Sequence, residues 1–325
     1  MRIAIYGYGN LGRGVEAMAA KNPDVSVTGI FTRRDPSSVT PVSGLNVYPA
    51  SAVTDFGGDI DVVINCGGSA TDLPATTPML ASSFNTVDSF DTHAKIPEHF
   101  AAVDAAARQG GNLALISAGW DPGMFSLARV YTSSAVPGGN IYTFWGRGVS
   151  QGHSDAIRRI PGVADARQYT VPVPEALEAV RRGECPELTT RDKHLRECWV
   201  VAEEGADRAA IEQAIVTMPY YFDEYDTTVN FISEEELLRD HSGLPHGGSV
   251  IYNASSGFEN EHTHTVEYSL RLDSNPEFTA GVLIACARAV HRMSLRGVTG
   301  CISMLDVAPA DLSPLSGEEL RHLML

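Results

Sequence analysis

"IAIYGYGNLGRGVE", residues 3–16, decides the fold: a short apolar run passes into Gly7, Gly9 and Gly12 at the spacing G-x-G-x-x-G and then into a helical pattern. A strand that ends in such glycines and is followed at once by a helix is how a dinucleotide pyrophosphate is held. The glycines let backbone approach the phosphates, and the helix N-terminus offers amide groups and the positive end of its dipole. Alone the pattern fits many proteins, so the weight falls on the residues downstream of it.

Downstream, the same alternation repeats. Leu11, Val15, Met18 and Ala19 recur at helical spacing, and Asn-Pro-Asp at 22–24 breaks the helix before an apolar run over 25–31. At the end of that second expected strand stand Thr32, Arg33 and Arg34. An NAD enzyme places an acidic side chain on the ribose 2′-hydroxyl about 20 residues past the fingerprint, whereas an NADP enzyme supplies arginine there. Two guanidiniums and a hydroxyl suit a 2′-phosphate, because arginine forks grip phosphate oxygens bidentately. Further on, residues 60–65 read as a buried strand, "CGGSATD" (66–72) as a small-residue loop and 73–84 as a helix. "NTVDSFD" (85–91) and "GNLALISAGWDPG" (111–123) each read as a strand ending in polar and glycine residues.

Alternating β and α elements predict a parallel sheet whose ligand sits outside the carboxyl ends of the strands. The strand ends contribute Gly7, Tyr8, Gly9, Asn10, Leu11 and Gly12, then Thr32, Arg33 and Arg34, then Cys66, Gly67, Gly68 and Ser69. Two more ends add Ser89, Phe90 and Asp91, and Ala118, Gly119, Trp120, Asp121 and Pro122. All are expected to converge on one NADP crevice.

The whole chain bounds the partners. With 325 residues, 43% of them hydrophobic and 20% charged, it has the composition of an ordinary globular protein. Its net charge of −16 excludes nucleic acid or an anionic membrane as a general partner, so any anion site has to be local. Five scattered cysteines without C-x-x-C spacing indicate neither a disulfide framework nor a zinc site. His262 and His264 fall on one face of an expected strand, but no third ligand accompanies them, and no metal is expected. The chain opens directly on a strand, without the basic and apolar regions of an export signal, and a cytoplasmic protein is expected.

After a further expected helix at 124–133 the alternation stops. The expected fold class is therefore α/β: a Rossmann-type dinucleotide-binding domain over residues 1–122, and a mixed α+β domain for substrate binding and dimerisation over 123–294. The segment from about 295 to 325 is expected to pack back on the first domain. "IYTFWGRGVSQGHSDAIRRIPGV" (141–163) concentrates Trp145, Gln151, Gly152, His153, Ser154 and Asp155. It reads either as substrate hardware or as a glycine-rich turn ahead of an amphipathic helix capped by Ser154. "GLPHGGSVI" (243–251) sets His246 between a proline and two glycines. "NPEFTAGVLIACARAVHRMSLRG" (275–297) predicts a strong helix from about Pro276, with an apolar face suited to a core or a dimer interface.

Taken together, "YGNLGR", "FTRR", "GSATD", "GWDPGMFS", "FWGRGVSQGHSDAIRRIPGV", "LPHGG", "HTVEY" and "NPEFTA" make a specific set, running from the first strand to about Pro309. By these motifs the sequence resembles the meso-diaminopimelate dehydrogenase family, NADP-dependent enzymes of bacterial lysine and peptidoglycan-precursor metabolism. The resemblance implies reversible oxidative deamination at the D-configured centre of meso-2,6-diaminopimelate, in a homodimer. It places Asp91 and Asp121 at that centre as the catalytic pair, with Trp145 and the Gln151–Gly152 backbone helping to fix it. It gives Thr170, Arg196, His246 and Asn275 to the distal L-centre. The base is open between Asp91, Asp121, His153 and a water. Phe90 and Arg147 depart from the family pattern, which often has tyrosine and proline there.

Two rival readings share the cofactor. A reductase of a cyclic imine or a related dicarboxylate, of the dihydrodipicolinate or saccharopine reductase kind, calls for a basic cluster where aspartates stand here. A non-catalytic NADP sensor has no need of Asp91 and Asp121 at adjacent strand ends.

Overall fold

The first strand explains the sheet. In β1 (Arg2–Tyr6) Ile3, Ala4 and Ile5 are all fully buried in the computed structural model, which describes residues 1–325. A strand apolar on both faces belongs in the middle of a covered parallel sheet. The chain continues through α1 (Asn10–Ala19), β2 (Ser26–Thr32), β3 (Val47–Pro49), β4 (Val62–Asn65), α2 (Leu73–Ala81) and β5 (Thr86–Asp88). Next come α3 (Ile96–Gly110), β6 (Leu113–Leu115) and α4 (Met124–Ala135).

A second run begins with β7 (Asn140–Trp145), β8 (Gly148–Val149), α5 (Gln151–Arg158), β9 (Val163–Pro172), α6 (Pro174–Arg181), α7 (Thr190–Lys193) and β10 (His194–Ala202). It continues with α8 (Arg208–Val216), β11 (Asp226–Phe231), α9 (Glu234–Asp240), β12 (His246–Ser256) and β13 (His262–Leu272). The chain closes with α10 (Asn275–Leu295), β14 (Gly300–Ile302), α11 (Pro309–Leu312) and α12 (Gly317–Met324).

Contacts divide the chain into one unit of Met1–Leu127 with Pro276–Leu325 and a second of Ala128–Asn275. The first holds a seven-stranded sheet in the order β14-β6-β5-β4-β1-β2-β3, every pair parallel. Its strand order reverses beside β1, the point at which such sheets open a ligand crevice. Ile3 and Ile5 face a core shared with Val15 of α1 and Leu283, Ile284 and Ala287 of α10, while Ala4 and Tyr6 face Phe31, Val63 and Leu80.

The expected boundaries shift. The first break falls after Leu127 rather than 122, and the chain rejoins the first unit at Pro276 rather than near 295. The cause is α10, whose apolar face fills the Rossmann core instead of the second domain. β3 and β14, of three residues each, add two strands that the sequence pattern does not announce.

The second unit holds two sheets, β11-β10-β9-β8 and β13-β12-β7. Ile157, Ala166, Cys198, Val200, Ile215 and Phe222 form one core, and Tyr142, Phe144, Val180 and Ile251 another. Helix α5 is capped by Ser150, not Ser154; the Ser154 hydroxyl lies inside the helix and donates to the Ser150 carbonyl at 2.6 Å. No helix of the chain is long and apolar enough to cross a membrane.

Candidate active site

In the first unit the glycine loop is built for close approach. Gly7 has φ +96°, and a Cβ on Gly12 would collide with the Gly7 carbonyl oxygen. Gly9 opens α1 without any side-chain cap and faces open space, so the first turn of α1, with Asn10, Leu11 and Gly12, presents its amide end free of a capping side chain. A cavity of about 480 Å³ brings together Gly7–Gly9, Thr32–Arg34 and Cys66–Gly68. These are three of the five expected strand ends.

Cation chemistry at this cavity is local, as the net charge requires. Arg33, 63% exposed, pairs with Asp72 Oδ1 at 2.7 Å, and Asp72 Oδ2 accepts the Gly68 amide at 3.0 Å. Burial acts to raise the Asp72 carboxyl, but the Gly68 amide and Arg33 outweigh it and hold it below the usual carboxylate range. Arg34 donates to the Tyr8 carbonyl, and its backbone amide donates to Thr32 Oγ1 at 3.1 Å. Behind the loop, the Tyr8 hydroxyl donates to buried Glu16, which also accepts the Ser43 amide (2.7 Å) and the Ser43 hydroxyl. Burial, then Glu16, pushes the Tyr8 phenol up to about 12. A glycine cradle beside an uncapped helix end, with two guanidiniums at the second strand end, fits NADP. Asp72 and Glu16 carry no sequence signal of this role, because only the fold brings them to the loop.

The other two strand ends carry the carboxylates. Asp91 follows β5 and Asp121 follows β6, strands that are neighbours in the sheet. The Asp91 amide donates to Ser69 Oγ at 2.9 Å, tying the third strand end to the fourth. Trp120 packs edge-on to Phe125 at 5.3 Å. Ser89, Phe90, Ala118, Gly119 and Pro122 lie in these same turns, but the Phe90 ring is turned into the core, 1% exposed, and does not line the cavity.

In the second unit, register assembles a row. Thr170 of β9 pairs opposite Arg196 of β10 and, on its other side, opposite Gly148 of β8, so their side-chain positions share one sheet face. Arg196 donates to the Thr170 hydroxyl, and its guanidinium lies 3.8 Å from the centre of the Tyr225 ring. The His246 imidazole packs where a Cβ on Gly148 would stand. Two residues before Arg196, His194 Nε2 accepts the Trp145 amide at 2.9 Å and the two rings stack at 5.0 Å. Trp145, Thr170, Arg196 and His246 are thus gathered on one face. Gln151, Gly152 and His153 form the first turn of α5, and the Asn275 amide donates to the Leu244 carbonyl at 3.0 Å.

Arg196 is only 4% exposed, no carboxylate of the chain pairs with it, and its Nε has no hydrogen-bond partner. Burial lowers its pKa, with Tyr225 opposing. Burial and the nearby Arg196 charge push His153 and His194 down to about 3, and burial lowers His246 as well. With its Nδ1 at 2.7 Å from the Ser150 hydroxyl, His153 is a weak proton acceptor. Arg147 is accounted for on the opposite face, where it pairs with Glu197 at 2.5 Å and lies over the Tyr169 ring. Tyr225 and His194 have no motif to mark them; only strand register reveals them.

Residues 119–274 match the family model of the diaminopimelic acid dehydrogenase C-terminal domain. A meso-diaminopimelate D-dehydrogenase of Lysinibacillus sphaericus is 57% identical over 325 residues, covering 100% of this chain and 99% of that one. The chain belongs to the meso-diaminopimelate dehydrogenase family. Within that family, the Corynebacterium glutamicum diaminopimelate dehydrogenase solved in complex with diaminopimelate is 48% identical, with a TM-score of 0.93 over 100% of this chain and 99% of that one. An engineered D-amino acid dehydrogenase solved with NADP+ is 46% identical, with a TM-score of 0.89 over 100% and 99%. The α/β class expected from the sequence, a Rossmann-type unit with a mixed second unit, is that of the family.

Proposed function

We propose that the protein catalyses the reversible, NADP-dependent oxidative deamination of the D-centre of meso-2,6-diaminopimelate, giving L-2-amino-6-oxopimelate, ammonia and NADPH, in lysine biosynthesis. The observation that carries the substrate is Arg196: a buried guanidinium with no counter-ion of its own calls for an anion from outside, and a substrate with a carboxylate at each end supplies one. Family membership and the NADP-suited cradle supply the reaction.

On this reading Gly7–Gly12 hold the pyrophosphate, Arg33 and Arg34 the 2′-phosphate, and the nicotinamide, when bound, accepts the hydride leaving the substrate. Arg196, Thr170, His246 and Asn275 anchor the L-centre, and Trp145 with the Gln151–Gly152 backbone helps to fix the D-centre. Asp91 and Asp121 hold the D-centre ammonium and take its proton, directly or through water, since the amine has to be neutral before the Cα–H bond breaks. Water then adds to the resulting imine carbon and ammonia leaves. Two anchored ends also set the stereochemistry: inverting the reacting centre points a hydrogen at the aspartates in place of the ammonium they are there to hold, which rejects the wrong isomer.

The same reading makes the protein a cytoplasmic homodimer with residues of the second unit in the interface. In its favour, Ile141 and Val266 occupy one cross-strand row, each 45% exposed, and Val130 and Tyr131 of α4 are exposed at 45% and 57%. Light scattering at micromolar protein tests it, with a monomeric mass as the contrary result.

The deciding experiment follows nicotinamide reduction with NADP+ and each stereoisomer of diaminopimelate, with NAD+ in parallel. Turnover with meso substrate and NADP+, and little with the LL isomer or NAD+, is expected. Tight NADP+ binding without turnover of any isomer would leave the fold and remove the function.

A further inference from the structure

The loops that carry Asp91 and Asp121 leave the sheet where its ladder stops. Pairing of β5 with β6 ends at Val87 opposite Leu115, so from Asp88 and Ile116 onward no β5–β6 ladder bond holds the two chains together. Asp88 takes over. It is the last residue of β5, fully buried, and no lysine or arginine pairs with it. One carboxylate oxygen accepts two amides, from Phe90 at 3.1 Å and from Ser117 at 2.9 Å. The Phe90 amide belongs to the residue before Asp91, and the Ser117 amide opens the turn that runs to Asp121. The Asp88 carbonyl accepts the Ala118 amide at 2.9 Å. One residue therefore grips both loops.

The other carboxylate oxygen is fixed from behind, by the Thr77 hydroxyl at 2.8 Å and by His99 Nε2 at 2.7 Å. His99, on α3 and 4% exposed, also lies flat on Phe90, ring centres 4.1 Å apart and planes 19° apart. Two features here oppose stability. Ser117 sits at φ +58°, a left-handed conformation that costs a non-glycine residue free energy, and His99 Nδ1 is buried with no partner. Such costs persist where geometry is over-determined for a purpose.

We propose that Asp88 and His99 are positioning residues: together they set the spacing and aim of the Asp91 and Asp121 loops, and through them the placement of the reacting amine. The inference rests on the function proposed above. Neither residue lines the cofactor cavity, so their influence separates from NADP+ binding.

His99→Leu removes the contact to Asp88 while keeping an apolar body against Phe90; His99→Gln restores a donor at similar reach. Misplacing reacting groups by about 1 Å costs on the order of 10²-fold in rate. For His99→Leu we expect kcat to fall by about 10- to 100-fold, Kd for NADP+ to stay within about twofold, and the primary deuterium isotope effect on kcat, with substrate deuterated at the D-carbon, to rise as hydride transfer becomes slower. His99→Gln is expected to recover most of the rate. Parent kcat and isotope effect in His99→Leu, with only a lowered melting temperature, overturn the proposal. If His99→Leu fails to fold, His99→Asn, too short to reach Asp88, takes its place under the same criteria.

Amide hydrogen exchange of the NADP+-loaded protein separates this inference from the functional reading. Faster exchange in both loops of the variant supports the positioning role even if the parent turns over none of the isomers; unchanged exchange refutes it.

Discussion

Replacing Arg196 with methionine tests the substrate reading from two sides at once. A charge-assisted hydrogen bond contributes roughly 1.5–3 kcal/mol, and removing one partner of a buried ion pair costs roughly 3–5 kcal/mol. Thr170 and His246 remain to hold part of the anchor, so a net loss of about 3–4 kcal/mol in substrate binding is reasonable, or about 10²- to 10³-fold in kcat/KM. Because the L-centre is remote from the bond that breaks, the loss is expected in KM with kcat nearly unchanged. Stability should move the other way. The free protein buries a guanidinium with no carboxylate and an unpartnered Nε, so an apolar side chain of similar length relieves an unmet desolvation cost, on the order of 1–2 kcal/mol. Steady-state kinetics with NADP+ saturating, and thermal unfolding without substrate, are the two assays. A KM within about threefold of the parent refutes the carboxylate role. A variant that loses both KM and melting temperature refutes the argument that Arg196 is kept for its ligand.

Arg33→Ser and Arg34→Ser should each raise KM for NADP+ by about 10- to 100-fold and leave that for NAD+ nearly unchanged, since each guanidinium is offered to the 2′-phosphate; equal losses on both cofactors would refute the assignment. His153 and His194, pushed down to about 3 when folded, stay neutral in the native state while the unfolded chain takes up protons below its ordinary value of 6.5. Their contribution is therefore complete above pH 6.5 and is lost as pH falls toward 3, each histidine costing roughly 2 kcal/mol by pH 5. Urea midpoints at pH 7 and pH 5 check this, and His194→Gln should remove about half of the difference, leaving the share of His153; equal midpoints for the parent would be the contrary result. Glu16→Gln weakens the acceptor shared by Tyr8 and Ser43, so a loss of about 1–2 kcal/mol in unfolding free energy and a severalfold higher KM for NADP+ are expected. An unchanged urea midpoint would remove Glu16 from the clasp.

Whatever rests on local pattern is legible in the residues. The β1–α1–β2 unit follows from an apolar run, three glycines and helical spacing, and the basic pair at 33–34 from its distance to the fingerprint. β3 and β14 escape, although β5 and β6 are no longer, because neither lies in an apolar run that closes on a motif of the nucleotide crevice, and Ser154 looks the better cap because it lies closer than Ser150 to the apolar part of the helix. The apolar face of α10 is visible, but an apolar face does not say which core it fills. Arg196 shows the same limit at the site: the resemblance names it, while the absence of any counter-ion appears only once β9 and β10 are in register. Asp88 leaves one trace, an acid inside the run "NTVDSF", and its partner His99 stands eleven positions on in another element.

The two arginine sites also divide the chemistry of an acidic protein sensibly. Arg33 is exposed and already holds Asp72, so on the proposed reading a 2′-phosphate arriving there exchanges one counter-ion for another in a contact that salt screens. That arrangement suits a cofactor that has to leave after every turnover. Arg196 is buried and holds no acid, so it has nothing to exchange; a carboxylate entering beside it meets a charge that the surrounding low dielectric leaves strong. On the proposed reading the buried anchor selects for a second carboxylate at the end that does not react, while the stereochemistry of the reacting end is left to the loops that Asp88 and His99 hold in place.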